Sequence, residues 1–159
     1  MYDPTKPYTT QIKVLIAKTW DTPYVSVKRA TYPIFERKFS FPEVDHTDGI
    51  GTKGFYHWQA KTFRNAALDA LAMNLNDLAI LGAVPYKLQN HITIPAEKEK
   101  AILEIITTLS EECMGRKIAM TGGETSIHEG EKSMDVSITI SGFIEKEKLN
   151  FDLLSDPDH

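Results

Sequence analysis

The sequence predicts an α+β fold in which helices cover one face of a mixed or antiparallel sheet. Three observations carry this. The hydrophobic period switches repeatedly between that of a strand and that of a helix, with no internal repeat or low-complexity tract. The stretch from Gln59 to Leu81 holds neither proline nor glycine and is rich in Ala and Leu, which favours a long helix. Met134, Val136, Ile138 and Ile140 alternate with Asp135, Ser137 and Thr139, so one strand has an apolar face and a polar face.

Taken in order, residues 1–38 read as an N-terminal extension that carries a first strand from Tyr24 to Lys28. A second strand from Phe39 to Thr47 runs into the turn-like DGIGTKG, and Pro42 places it at an edge or a bulge. Gln59 to Gly82 follows as one helix. Phe63, Ala67, Ala70, Asn74, Leu78 and Leu81 form one stripe and Leu68, Leu71, Leu75 and Ala79 another, so the helix is expected to be buried on both sides. Asp69, Met73, Asn76 and Asp77 project together from it, about two turns apart.

Pro85 to Pro95 alternates as a strand, and Pro95 suits the first turn of a second helix that runs to about Met114 and stops at Gly115. Cys113 falls in its apolar spacing and reads as a core residue. Lys117 to Thr121 is a short strand opening onto GGETS, read as a chain reversal, and Met134 begins the last strand. The domain proper spans 39–148, with 149–159 as the start of a linker.

Composition narrows the function classes. With 159 residues, 42% of them hydrophobic, the chain is long enough for a single core, and one cysteine excludes a disulfide framework. A net charge of -4 argues against a general nucleic-acid or membrane-surface binder. No apolar run is long enough to span a bilayer, and the polar start MYDPTKPYTT is not a signal peptide, so a cytoplasmic protein is expected. The P-loop, GxGxxG and GxSxG patterns are absent. His46, His57, His91, His128 and His159 lack the spacing of zinc sites, and His46 and His91 read as polar contacts rather than ligands.

Three segments combine carboxylates with small residues. In DGIGTKG, Gly49, Gly51 and Gly54 free the backbone, Thr52 adds a hydroxyl, Lys53 a positive charge, and Asp48 an oxygen donor for a cation. Asn76 and Asp77, joined by Asp69, lie on the helix expected to be buried, where an ionised carboxylate requires a partner. Gly122, Gly123, Glu124, Thr125 and Ser126 follow a strand, with Asp135 opening the next polar face. Singly, each reads equally as a solvated turn, a paired aspartate or a hairpin turn. Together, Asp48, Asp77 and Glu124 would form a cluster of like charges that calls for a hard cation, and Mg2+ with nucleotide phosphates fits such oxygen ligands.

DGIGTK (Asp48 to Lys53), LDALAMNLNDLAILGAVP (Leu68 to Pro85), GGET (Gly122 to Thr125) and DVSITISGF (Asp135 to Phe143) occur in an order and spacing that resembles the N-terminal domain of the aminoimidazole ribonucleotide synthetase family, the phosphoribosylformylglycinamidine cyclo-ligases. Its superfamily includes formylglycinamidine ribonucleotide synthetase, the hydrogenase maturation dehydratase, thiamine-monophosphate kinase and selenophosphate synthetase. The resemblance implies a four-stranded sheet that pairs with a second subunit into a closed barrel, giving a homodimer. It implies ATP and Mg2+ as cofactors and a small-molecule ribonucleotide as substrate. Asp48, Asp77 and Glu124 take metal positions, and Lys53 and Asp77 take catalytic ones. Gly49, Gly51, Thr52, Lys53, Asn76, Gly122, Gly123 and Thr125 take nucleotide-binding ones, with Asp69 and Asp135 behind them.

The implied reaction is ATP-dependent cyclisation of formylglycinamidine ribonucleotide in purine biosynthesis. ATP phosphorylates an amide oxygen, an internal amine attacks, and the imidazole ring closes with release of ADP and phosphate. Another amide- or phosphate-activating member of the superfamily, or a dimerisation module without catalysis, are the alternatives. The family usually carries a C-terminal domain, expected to begin about where this chain ends. Leu88, Gln89, Asn90 and His91 stand where the family has an LDY-like sequence, and ATYPIFERKFSFPEV replaces its glycine-rich stretch before DGIGTK.

Overall fold

Two strands that run parallel cannot be joined by a tight turn, and this requirement organises the chain. In the computed structural model, which describes residues 5–145, the order is α1 (Thr9–Lys18), β1 (Val25–Lys28), β2 (Ile34–Arg37), β3 (Glu43–Gly49), α2 (Lys53–Ala60), α3 (Phe63–Ile80), β4 (Val84–Ile94), α4 (Glu99–Arg116), β5 (Ala119–Ile127) and β6 (Asp135–Phe143). β4 and β5 pair in parallel across α4, and β6 inserts antiparallel between β3 and β4. The result is a mixed sheet in the order β3-β6-β4-β5, with β1 and β2 as a separate hairpin.

The fold is α+β, as the sequence predicts, with its helices packed on one side of the sheet. Leu71 and Leu78 of α3, with Ile102, Ile105 and Leu109 of α4, close on Leu88, Ile92, Ile138 and Ile140 of the sheet. Cys113 is buried in this core, and burial pushes its thiol up to about 12. On the other side Thr47, Gln89, His91 and Thr139 stay exposed. A second cluster gathers Tyr86, Phe143 and Val25 with Phe39 at the hairpin, the Phe39 and Phe143 rings lying 4.4 Å apart.

Several expectations need correction. The N-terminal extension holds the expected first strand as β1, but also a helix, α1, and a second strand, β2, that pairs with it. α1 is fastened by Ser110 Oγ donating to the Leu15 carbonyl at 2.7 Å and Trp20 Nε1 donating to the Met120 carbonyl at 2.8 Å. The strand expected from Phe39 begins at Glu43, because Phe39 and Phe41 are drawn into the aromatic cluster.

The helix expected over 59–82 is two helices. Lys61 adopts φ +56°, and Thr62 closes α2 by donating its N–H to the His57 carbonyl while its hydroxyl meets His57 Nδ1 at 2.8 Å. This turns Phe63 into the core. α3 is buried on one side only, since among the described residues nothing covers Ala72, Asn76, Ala79 and Ile80. α4 starts at Glu99 rather than at Pro95, because β4 continues to Ile94.

GGETS is not a reversal. It lies inside β5, where Gly122 to Ser126 pair with Gln89 to Thr93 of β4. The linker expected over 149–159, with His159, lies outside the described residues, as do 146–148 at the end of the expected domain.

α2 abuts the start of β6 so closely that a Cβ on Gly54 would overlap the Met134 carbonyl. Gly54→Ala is expected to cost about 1–3 kcal/mol by overpacking, read as a lower urea midpoint. Gly115→Ala, on α4 with open space around it, serves as the control and should be neutral or stabilising by up to about 1 kcal/mol.

Candidate functional site

The DGIGTK loop is folded by a carboxylate from the neighbouring strand. Asp135 Oδ1 accepts the N–H groups of Ile50 and Gly51 at 3.0 and 3.3 Å, and Ser137 Oγ donates to Oδ2. Gly49 is required by this packing, since a Cβ there would lie 2.6 Å from Ser137 Oγ and 2.7 Å from Asp135 Oδ2. Gly51 takes φ +55°, which disfavours a side chain. The Gly49 N–H is also committed, to Asp48 Oδ1 at 2.8 Å. The backbone donors expected to face a ligand therefore hold the loop itself. What the loop offers outward is the Thr52 hydroxyl and the Lys53 ammonium, both on exposed residues.

Beside this loop, α3 meets β3 through residues that periodicity placed in its apolar stripe. Asn74, with 0% of its surface exposed, donates from Nδ2 to the carbonyls of Ala70 at 2.9 Å and Asp48 at 3.2 Å. These two bonds fix its orientation, so Oδ1 faces His46 Nδ1 at 2.9 Å and the imidazole donates there. His46 Nε2 lies 3.0 Å from Asp77 Oδ2, a contact that is a full hydrogen bond only when the ring is doubly protonated. Asp77 is 43% exposed at its side chain, and Asn76 is exposed. The expectation that burial forces a partner on Asp77 is therefore corrected: its contact with His46 aims the carboxylate, and water solvates it.

Asp69 is held separately. His57 Nε2 is 3.1 Å and Lys53 Nζ 3.5 Å from its Oδ2. The His57 hydrogen bond keeps its carboxyl below the ordinary range; desolvation opposes this and the Lys53 charge assists. The geometry thus links Lys53 of the loop to Asp69 of the helix.

Glu124 lies elsewhere. The strand registers align Gly49, Ser137, His91 and Glu124 in one row across the sheet, with β3 at one edge and β5 at the other. Three strand spacings separate the edges, about 14 Å. Alternation puts Asp48 on the side of His46, toward α3, and Glu124 on the open side with His91. Asp48 and Asp77 flank the His46–Asn74 pair, but Glu124 does not join them within one chain. Among the described residues no group of three or more His, Cys, Asp or Glu side chains is placed to hold a metal ion. His91 makes a polar contact with Ser126 Oγ at 2.8 Å.

Gly122, Gly123, Glu124 and Thr125 instead line a cavity of about 860 Å³ that reaches from the open sheet face to α1 and the hairpin tip. His46 is the polar contact expected of it, while Asn74 and His57 are the positioning residues that sequence reasoning missed. The one available signal was Asn74, a polar side chain inside an apolar stripe.

A mixed four-stranded sheet, dry under its helices and polar on the other side, with acidic and glycine-bearing segments on its strands, defines an α+β domain shared with several solved enzymes and maturation proteins. Thiamine-monophosphate kinase from Stenotrophomonas maltophilia superposes with a TM-score of 0.70 at 19% identity, covering 90% of this chain and 43% of that one. The hydrogenase maturation protein HypE in complex with ATP does so with a TM-score of 0.58 at 16% identity, covering 92% of this chain and 43% of that one.

The chain belongs to the family of AIR synthase related proteins, whose N-terminal domain matches residues 43–144. Phosphoribosylformylglycinamidine cyclo-ligase of Saccharolobus solfataricus is 34% identical over 104 residues, 65% of this chain and 32% of that protein. The cyclo-ligase of Bacillus thuringiensis is 31% identical over 118 residues, 70% of this chain and 34% of that protein. The chain thus spans about a third of the length of the curated relatives it matches.

A carboxyl whose folded value is depressed stabilises the fold while ionised and loses that contribution as pH falls through the folded value. Asp69, held below 3.8, should therefore favour the native state at neutral pH. With a side chain 37% exposed, its share is under about 1 kcal/mol. Asp69→Asn should lower the urea midpoint at neutral pH, and the gap to wild type should close as pH drops below 3.8.

Proposed function

We propose that this chain is the ATP- and magnesium-binding domain of a cyclo-ligase-like enzyme, one that drives ring closure of a formylglycinamidine ribonucleotide with ATP. The observation that carries the reading is the family match over 43–144, which contains all the motif residues of the candidate site. The named activity of the cyclo-ligase relatives and the ATP complex of HypE support it.

In this reading Asp48, Asp77 and Glu124 supply hard oxygen ligands for Mg2+, which neutralises phosphate charge. Asp48 and Asp77 fit one half of such a site, because both border the same His46–Asn74 pair. Glu124, on the far edge and opposite face of the sheet, fits only if a second copy of the chain brings its own β5 to that half-site. This favours the homodimer, with the polar sheet faces turned toward each other in a closed barrel.

Lys53 and Thr52 bind phosphate oxygens from the loop, and Gly49 and Gly51 shape it. Asn76, Gly122, Gly123 and Thr125 complete the nucleotide contacts. Lys53 and Asp77 act at the reacting phosphate, Lys53 as a positive charge tethered by Asp69 and Asp77 as a carboxylate aimed by His46. Phosphoryl transfer to an amide oxygen needs in-line positioning and charge neutralisation rather than a protein nucleophile, and these residues supply both. A C-terminal domain, as the family resemblance implies, completes the substrate site. No helix among the described residues is long and apolar enough to cross a membrane. The proposed setting is the cytoplasm, with no nucleic-acid partner.

Titration with Mg-ATP at millimolar concentration should raise the melting temperature by a few degrees, following RT ln(1 + [L]/Kd). Asp77→Asn should abolish the magnesium-dependent part of that shift while leaving the ligand-free melting temperature within about 2 °C of wild type, because the side chain is largely solvated. A shift that survives the substitution removes Asp77 from the metal site. Light scattering should give twice the chain mass; a monomer overturns the shared site.

A further inference from the structure

Lys53 and His57 stand four residues apart on α2, so both side chains leave the helix on one side and reach the same atom, Asp69 Oδ2 of α3. They reach it unequally. The imidazole, its side chain 14% exposed, brings Nε2 to 3.1 Å, while the ammonium, on a side chain 55% exposed, stands at 3.5 Å. A charge-assisted N–H to carboxylate bond closes to about 2.7–2.9 Å, so Lys53 stops short of one. His57 is itself fixed from behind. The left-handed Lys61 ends α2, the Thr62 N–H donates to the His57 carbonyl at 3.1 Å, and the Thr62 hydroxyl meets Nδ1 at 2.8 Å. With that hydroxyl donating to Nδ1, the neutral ring carries its proton on Nε2 and donates it to Asp69. Both ring nitrogens are then satisfied with no charge on the imidazole. This is the reverse of His46, whose contact with Asp77 needs the second proton.

We propose that His57 is a positioning residue for Lys53: by occupying Asp69 Oδ2 it keeps the ammonium from closing into a tight ion pair and leaves it available to an incoming anion. A lysine that binds phosphate must first give up whatever pairs it. A closed pair with Asp69 would hold the ammonium back and cancel its charge at the mouth of the loop. A neutral donor already seated on the carboxylate takes up part of its hydrogen-bonding capacity, so Asp69 aims the lysine without capturing it. Without Asp69 the ammonium is unaimed; without His57 it is captured. The break between α2 and α3 belongs to the same device, because it is the turn at Lys61 and Thr62 that holds the ring against Asp69. The consequence for phosphate rests on the nucleotide reading above. The competition for Oδ2 stands on the three side chains alone.

The test uses the full chain and two readouts: the rate at which acetic anhydride labels Lys53, followed by mass spectrometry, and the Kd of inorganic tripolyphosphate. His57→Leu lets the ammonium close on Asp69, so labelling should slow and tripolyphosphate should weaken, each about threefold, the size of a partly exposed ion pair. His57→Gln, which keeps a donor at similar reach, should stay near wild type in both. Adding Asp69→Asn to His57→Leu removes the capturing carboxylate and should restore labelling, which a merely damaged fold would not do. Should His57→Leu fold poorly, nitrogen NMR of the wild-type ring at about pH 8 decides, and the proton should sit on Nε2. Unchanged labelling in a well-folded His57→Leu, slowing that Asp69→Asn does not reverse, or a ring protonated on Nδ1 overturns the proposal. Labelling that slows while tripolyphosphate affinity stays the same upholds the part played by His57 and counts against Lys53 as a phosphate ligand instead.

Discussion

A single buried amide ties α3 to the edge strand β3 beside the DGIGTK loop. Asn74 bridges its own helix, the edge strand at the Asp48 carbonyl, and the His46 ring, and through His46 it reaches Asp77. Asp48, through its backbone carbonyl, and Asp77, through His46, therefore take their positions from one side chain that never meets solvent. An unpaired buried carbonyl costs about 1–3 kcal/mol, so the bridge is also a stability element. The residue is built into the apolar stripe because only there can a short side chain reach the strand backbone.

The same economy appears in the loop itself. Asp135 takes up the N–H groups of Ile50 and Gly51, leaving the loop preorganised before any ligand arrives. What it presents outward is then side-chain charge and hydroxyl rather than a nest of backbone donors. Lys53 is tethered at 3.5 Å from Asp69 and is neither buried nor locked, so its ammonium keeps freedom to move at the mouth of the loop.

The parts legible in the sequence were those with local periodicity. β4 and β6 announce themselves by strict alternation, and α4 by its isoleucine spacing. The break at Lys61 was invisible because a left-handed lysine stabilised by His57 and Thr62 leaves no glycine or proline to mark it. GGETS looked like a reversal because glycines and short polar residues have low strand propensity, and its partner, β4, lies some thirty residues away in the chain, beyond α4. The motif residues were found, but not their grouping: strand order, which no local signal encodes, sends Glu124 to the edge opposite Asp48. The N-terminal helix and the second strand of the hairpin were missed because the contacts that hold this segment, such as Trp20 to Met120, span most of the chain.

Cys113 sits between α4 and the rest of the core with its thiol raised to about 12, so at neutral pH it is neither ionised nor reachable. Because it is the sole sulfhydryl in the sequence, its modification by an alkylating reagent would report one event, the parting of α4 from the layers around it. The protein thus carries its own stopwatch for opening, wound by burial and needing no engineered label.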